Sequence, residues 1–321
     1  MFFKNLMKWL ILMTIIISFS SNSWFIYWLM MEMNLLMFMP LMSNKKKNSS
    51  NSMISYFIIQ SFSSSLFIMS ALYMYMYNQI SFQFIMTLAI LMKLAVIPFH
   101  FWLSSLSELI EFSSLCIILT FQKMIPLLIL FNIQMNFLIL FIIISAIFSS
   151  IFAINSKTIK KILIFSSISH QSWIMTLMIA KSNFWIMYML VYSFLIYKIT
   201  SILEYWNVST ISKFLNQNKN FHTKMSITMM MFSLGGMPPF MGFLIKLISI
   251  LILIMNWNFI LVVLIMSSMI NIYFYIQLTS PVFFLNYFSF KNLLVNKLNL
   301  KNILLNINLL LLILIMNSMN F

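Results

Sequence analysis

A chain of 321 residues that is 62% hydrophobic, 7% charged and has a mean hydropathy of +1.00 lies far outside the mix of a soluble globular domain. Windows of about 20 apolar residues, enough to cross roughly 30 Å of hydrocarbon, consume nearly all of it and exclude a soluble catalytic domain. The formal charge of +15 invites a nucleic-acid reading, which the placement of the lysines along the chain removes.

Eleven apolar runs read as membrane-spanning helices, near residues 5–21, 23–42, 53–77, 80–102, 112–131, 136–155, 159–180, 184–206, 225–255, 257–280 and 302–320. They lack strict period-two alternation, so the pattern predicts an all-α polytopic membrane protein and not a barrel. Lys4 and Lys8 ahead of the first run, and SFSSNS after it, give the outline of a secretory signal peptide. Its removal would leave ten spans and spoil the lysine distribution described below, so the run is read as a span.

Charges inside the spans need a reason, because one at the bilayer centre costs about 2.5–3.5 kcal/mol on insertion scales. Glu32 stands mid-span in WLMMEMNLL. Lys93, in ILMKLAVIPFHFW, precedes Pro98 by five residues and His100 by seven, a spacing that puts Lys93 and His100 on one helix face. HFW near a span end is equally an interfacial anchor. Glu108 and Glu111 follow in a connection, as a solvated or partner-facing surface. Cys116 is the single cysteine, which excludes an internal disulfide and a cysteine-ligated cluster within the chain. Lys123, in FQKMIP, joins Glu32 and Lys93 as a charge about eight or more residues from its span ends. Beyond snorkelling reach, these three belong inside the bundle, as an ion pathway or as a structural Lys–Glu pair.

His170 lies among Ser166, Ser167, Ser169 and Ser172, a polar stripe that lines water or joins helices by hydrogen bonds. Lys198 lies toward the lysine-rich end of its span and either snorkels or meets Glu204. His222, among lysines, reads as loop.

The ninth run holds all three glycines and two of the six prolines, in GGMPPFMGFLIK at 235–246. Pro238 and Pro239 cannot donate to the helix ladder, and their rings obstruct the preceding turn, so carbonyls near residues 234 and 235 lose their partners. A break is expected across Gly235, Gly236, Pro238 and Pro239, with Lys246 two turns beyond it. Such backbone is tolerated at membrane depth only where it is buried in protein or lines water. Pro98 repeats the theme five helices earlier, and an odd offset implies inverted orientation. The reading is one transmembrane domain with a five-helix repeat in 1–131, its inverted copy in 132–280, and an interfacial connection plus the last helix in 281–321.

Fourteen of the nineteen basic residues, all lysine, fall in the amino terminus or in the connections after spans 2, 4, 6, 8 and 10, and only Lys181 lies opposite. The positive-inside rule then places the amino terminus on the cytoplasm-like side and the carboxyl terminus, after eleven crossings, on the other. The charge is topological, and nucleic acid drops out as a partner. Thirty-two methionines and thirty-four phenylalanines, with few residues that need G or C codons, fit a gene read by an animal mitochondrial code.

The segments WLMMEMNLL, KLAVIPFHFW, FQKMIP, SSISHQSW and GGMPPFMGFLIK together resemble, in order and spacing, the mitochondrial NADH dehydrogenase subunit 2 family, the antiporter-like membrane subunits of respiratory complex I. The likeness extends over almost the whole chain, and the composition is similar to an insect's. The resemblance implies cation/proton antiporter ancestry, eleven helices where bacterial relatives have fourteen, and a file of buried charges along the midplane. In it, Glu32 matches a glutamate facing a neighbouring subunit, Lys93 the lysine of the first broken helix, Lys123 a connecting lysine and Lys246 the lysine of the second break. His100 and His170 match histidines of the same motifs. Ala95 departs from the pattern, since relatives often carry glycine there.

The expected function is proton translocation in the mitochondrial inner membrane, as a subunit of NADH:ubiquinone reductase with its amino terminus on the matrix side and its carboxyl terminus on the intermembrane-space side. NADH, FMN, iron–sulfur clusters and ubiquinone are expected in other subunits, with no cofactor or metal bound by this chain. Expected partners are other membrane subunits of the complex, including antiporter-like neighbours, and lipids such as cardiolipin. A stand-alone Na⁺/H⁺ antiporter and a non-transporting scaffold are the alternatives.

Overall fold

The computed structural model describes residues 2–43, 48–77, 80–133, 137–206, 210, 221–255 and 257–293. Within them thirteen α-helices succeed one another: α1 (Phe2–Ser20), α2 (Trp24–Met42), α3 (Asn48–Tyr77), α4 (Ile80–Leu94), α5 (Phe101–Leu106), α6 (Phe112–Leu119), α7 (Phe121–Ile133), α8 (Leu138–Ile154), α9 (Ile159–Ile179), α10 (Phe184–Trp206), α11 (Phe221–Gly235), α12 (Met241–Leu253) and α13 (Asn258–Leu293). No β-strand forms among the described residues, where Thr158 and Thr210 make an isolated bridge.

Ten of the expected spans fall in this region. Seven are long and apolar enough to cross a membrane, and α8 is a shorter apolar helix. The other two are each assembled from a pair of short helices, α4 with α5 and α11 with α12. The chain is therefore a multi-pass, all-α membrane protein with discontinuous helices. The run at 302–320 lies outside the described residues.

Two boundaries differ from the hydropathy reading. The third span starts at Asn48 and the tenth continues to Leu293, because a helix extends past the hydrocarbon wherever its backbone bonds persist. One break was not foreseen: the span at 112–131 bends at Thr120 (φ −116, ψ −83), whose hydroxyl donates back to the Cys116 carbonyl at 2.7 Å. Such back-bonding competes with the helix ladder and bends it.

Many serines inside the spans satisfy their own donors, as Ser63 does on Gln60, Ser145 on Ile142 and Ser233 on Met230, each through the carbonyl three residues earlier. These hydroxyls are thus carried in apolar helices with their protons satisfied. Their oxygens remain free to accept.

The bundle is organised about α9. Its most apolar stretch is 94% buried against 22% for α1, and it packs against α5, α6, α7, α8, α10, α12 and α13. A second regularity is that elements five spans apart choose equivalent neighbours. Contacts of α1 with α2, α2 with α3, α3 with α4 and α5, and α7 with α1, α2 and α4 recur. Their counterparts join α8 with α9, α9 with α10, α10 with α11 and α12, and α13 with α8, α9 and α11.

Candidate functional site

The ends of α4 and α11 are capped alike. Ala95 (φ 56) donates to Met92 O at 3.2 Å and Val96 to Leu91 O at 3.2 Å; Gly236 (φ 84) donates to Ser233 O at 3.2 Å and Met237 to Phe232 O at 3.1 Å. These paired bonds are how a left-handed residue closes a helix C-terminus. Pro98 and Pro239 follow at the same offset, and Phe99 and Phe240 then donate to Val96 O and Met237 O at 2.7 and 3.0 Å. Ala95 occupies the position that Gly236 holds in the second break, where a Cβ costs about 1–2 kcal/mol.

At the second break the two carbonyls freed by Pro238 and Pro239 are those of Leu234 and Gly235. Lys246, on the second turn of α12, bends back so that Nζ donates to Gly235 O at 2.7 Å. The His170 ring, carried by α9, shares a hydrogen bond of 2.9 Å with the Tyr188 hydroxyl and lines, with Leu234, the small space beside the break. Glycines make the room. A Cβ on Gly236 would meet Lys246 Cδ and Nζ at 2.9 Å, and a Cβ on Gly242 would lie 1.6 Å from Ser233 O, inside the backbone of α11. Beside the break is a small cavity lined by His170, Tyr188, Tyr192 and Ser233.

At the first break Lys93 and Lys123, 9% and 4% exposed, line one cavity together with Tyr56, Gln60, Trp102 and Gln122. Lys123 Nζ donates to Ser167 Oγ at 3.1 Å. Ser167 in turn gives its proton to Ile164 O, so it accepts from the lysine. On α9 it lies one turn from His170, which feels the charges of both Lys123 and Lys246. The order in space is Lys93, shared cavity, Lys123, Ser167, His170, then Lys246 at the second break. Across the first break, Trp102 Nε1 on α5 donates to Met92 O at 3.1 Å.

Glu32 is half-buried and accepts a hydrogen bond from Ser64 on α3. Its charge acts on Lys93, but no ion pair joins the two, so the structural Lys–Glu pair is not the arrangement found. His100 does not share a helix face with Lys93. The helix ends at Leu94, so a spacing of seven across the break carries no angular meaning, and His100 packs instead on Phe152 and Phe165 with ring centroids 5.4 and 6.0 Å away. Lys198 does not meet Glu204; its Nζ lies over the Phe194 ring at 5.5 Å. Glu108 pairs with Lys161, so this carboxylate is tied to the start of α9. Beside it, Lys160 donates to Ile110 O and lies 5.1 Å from the Phe112 ring centroid.

Residues 21–272 match the NADH:quinone oxidoreductase/Mrp antiporter transmembrane family. The chain belongs to that family. It is 43% identical over 296 residues to a protein of the tick Rhipicephalus sanguineus named NADH-ubiquinone oxidoreductase chain 2, covering 91% of this chain and 94% of the relative. A mosquito protein of the same name, from Anopheles gambiae, is 34% identical over 308 residues, covering 92% and 90%. In fold it is similar to a chain of respiratory complex I from Thermus thermophilus with bound aureothin, with a TM-score of 0.79 and 18% identity over 88% of this chain and 71% of that one.

In this member of the NADH:quinone oxidoreductase/Mrp antiporter family, several polar groups escaped the sequence reading. Asn271 on α13 donates to Ser169 Oγ at 2.8 Å, next to His170. Gln122, beside Lys123, donates to Asn34 Oδ1 at 3.0 Å and so ties α7 to the helix of Glu32. Amides in the middle of apolar spans were the available signal, since each is costly in hydrocarbon unless it meets a partner.

Proposed function

We propose that the chain is a proton-translocating membrane subunit of respiratory complex I in the mitochondrial inner membrane, with Lys93, Lys123, His170 and Lys246 as stations and Glu32 as the modulating carboxylate. The observation that carries this reading is the succession of the Lys93–Lys123 cavity, the Lys123–Ser167 hydrogen bond, His170 one turn further along α9 and the Lys246-capped break. His100 is an aromatic-packed residue at the edge of that file. The recurrence of caps and neighbours at an offset of five spans supports two inverted repeats, 1–131 and 132–280. Lysine asymmetry supports an amino terminus facing the matrix and a carboxyl terminus facing the intermembrane space.

A carboxylate favours the protonated state of a nearby ammonium, so moving Glu32 against Lys93 changes which group holds the proton. An ion pair at about 4 Å and an effective dielectric of about 20 is worth roughly 4 kcal/mol. Driving one charge against the membrane potential takes about 2.3 kcal/mol per 100 mV. Making and breaking one such contact is therefore sufficient to move a proton uphill. The chain contributes positions for protons; NADH oxidation and quinone reduction are assigned to other subunits, and the single cysteine supports that division.

The test is Lys93→Ala and Lys123→Ala, made singly in the assembled enzyme. Each should lower proton pumping per NADH oxidised, and wild-type pumping and oxidation in both would overturn the reading. Comigration on native gels with an NADH-oxidising assembly separates it from a stand-alone Na⁺/H⁺ antiporter, and normal pumping stoichiometry in neutral isosteres would favour a scaffold.

A further inference from the structure

Apart from the lysine file, a cleft of about 380 Å³ opens between α1, the α6–α7 bend and α10. Its walls are single helix faces at three- or four-residue spacing: Lys8 and Leu12 on α1, Ser113, Ile117 and Phe121 on the bend, and Tyr197, Ser201 and Glu204 on α10. The first and fifth spans run one way and the eighth runs the other, so the starts of α1 and α6 and the end of α10 share one membrane side, the lysine-rich one. Lys8, Ser113 and Glu204 lie toward those ends, whereas Leu12, Ile117 and Tyr197 lie deeper. The cleft is thus graded from charged to apolar along the membrane normal, as a phospholipid is.

The two charges are of opposite sign, and both side chains are exposed. No ion pair among the described residues joins Lys8 to Glu204, and Lys198 is engaged with Phe194. The side of the cleft is open, with Tyr197 60% and Phe121 39% exposed.

We propose that this cleft binds an aminophospholipid of the phosphatidylethanolamine class. The phosphate meets Lys8, the ammonium meets Glu204, and an acyl chain runs along Leu12, Ile117 and Phe121. Charge complementarity selects the occupant. Cardiolipin would set its phosphates against Glu204, a choline head has no N–H to donate to that carboxylate, and a quinone ring offers a charge to neither group. The cleft shares no residue with the proton file, so each is tested separately.

Lipid probes with a diazirine in the acyl chain, added to the intact assembly in nanodiscs, decide it by mass-spectrometric mapping of the labelled peptides. Phosphatidylethanolamine should label α1, α6 and α10 about five-fold more than cardiolipin, phosphatidylcholine or a diazirine ubiquinone analogue, the ratio expected of one exposed charge pair. Glu204→Gln, at an exposed position, should erase that preference, and Lys8→Gln should lower labelling by both zwitterionic lipids. Equal labelling by all probes, preference for cardiolipin or the quinone, or shielding of the cleft by another subunit's peptides would overturn the proposal. The wild-type protein with the four probes is sufficient on its own to decide between these outcomes, even if a variant fails to assemble.

Discussion

Lys246 Nζ lies 2.7 Å from the carbonyl oxygen of Gly235, so a side chain of α12 closes a backbone gap at the end of α11. Lys246→Met removes the charge and leaves that carbonyl without a donor, at a cost of about 1–3 kcal/mol. Pumping coupled to NADH oxidation should fall by about tenfold or more, and the chain should dissociate from its assembly at lower temperature. Vesicle pumping assays and heated native gels read the two effects separately.

The glycines flanking this lysine should respond differently to alanine. At Gly242 the new Cβ would sit 1.6 Å from Ser233 O, a backbone atom that cannot step aside, so Gly242→Ala should abolish assembly. At Gly236 the clash is with the flexible end of Lys246, in addition to about 1–2 kcal/mol for a side chain at φ 84. Gly236→Ala should therefore assemble at reduced yield and pump poorly. Immunodetection of the assembled complex alongside pumping distinguishes the pair.

Ser167→Ala deletes the oxygen that accepts from Lys123 at 3.1 Å. The hydroxyl is lost from a packed helix interface where little else changes shape, so assembly should hold while pumping drops several-fold. Asn271→Leu, which removes the donor to Ser169, should act in the same direction. Normal pumping in both variants would place the α9 serines outside the proton path.

Glu108→Gln is a contrasting case. The pair with Lys161 is exposed, 55% on the carboxylate side, so its loss should change stability by less than about 1 kcal/mol, and salt should shrink the effect further. Thermal unfolding of the assembly at low and high ionic strength measures this.

Topology and the site were legible to different degrees. Hydropathy located ten spans because burial in lipid is a composition requirement, and proline chemistry located both major breaks because a missing N–H has a fixed consequence. Thr120 was missed because a threonine that back-bonds looks in sequence like one that does not. The pairing of Lys93 with His100 failed because helical spacing was extended through a segment that is no longer helical. Lys246 was expected near the break, but no spacing rule says that a side chain ten residues on from Gly236 turns back to the carbonyl before it. That depends on Gly236 having no side chain, a relation visible only in three dimensions.

The two hinges are fastened by different chemistry. An indole N–H of Trp102 spans the first, and its strength does not change with proton supply, whereas the ammonium of Lys246 spans the second. When that amine gives up its proton, the charge-assisted component of its bond disappears and the joint between α11 and α12 loosens. Under the proposed relay, stiffness and occupancy are then one variable at the second break and independent variables at the first.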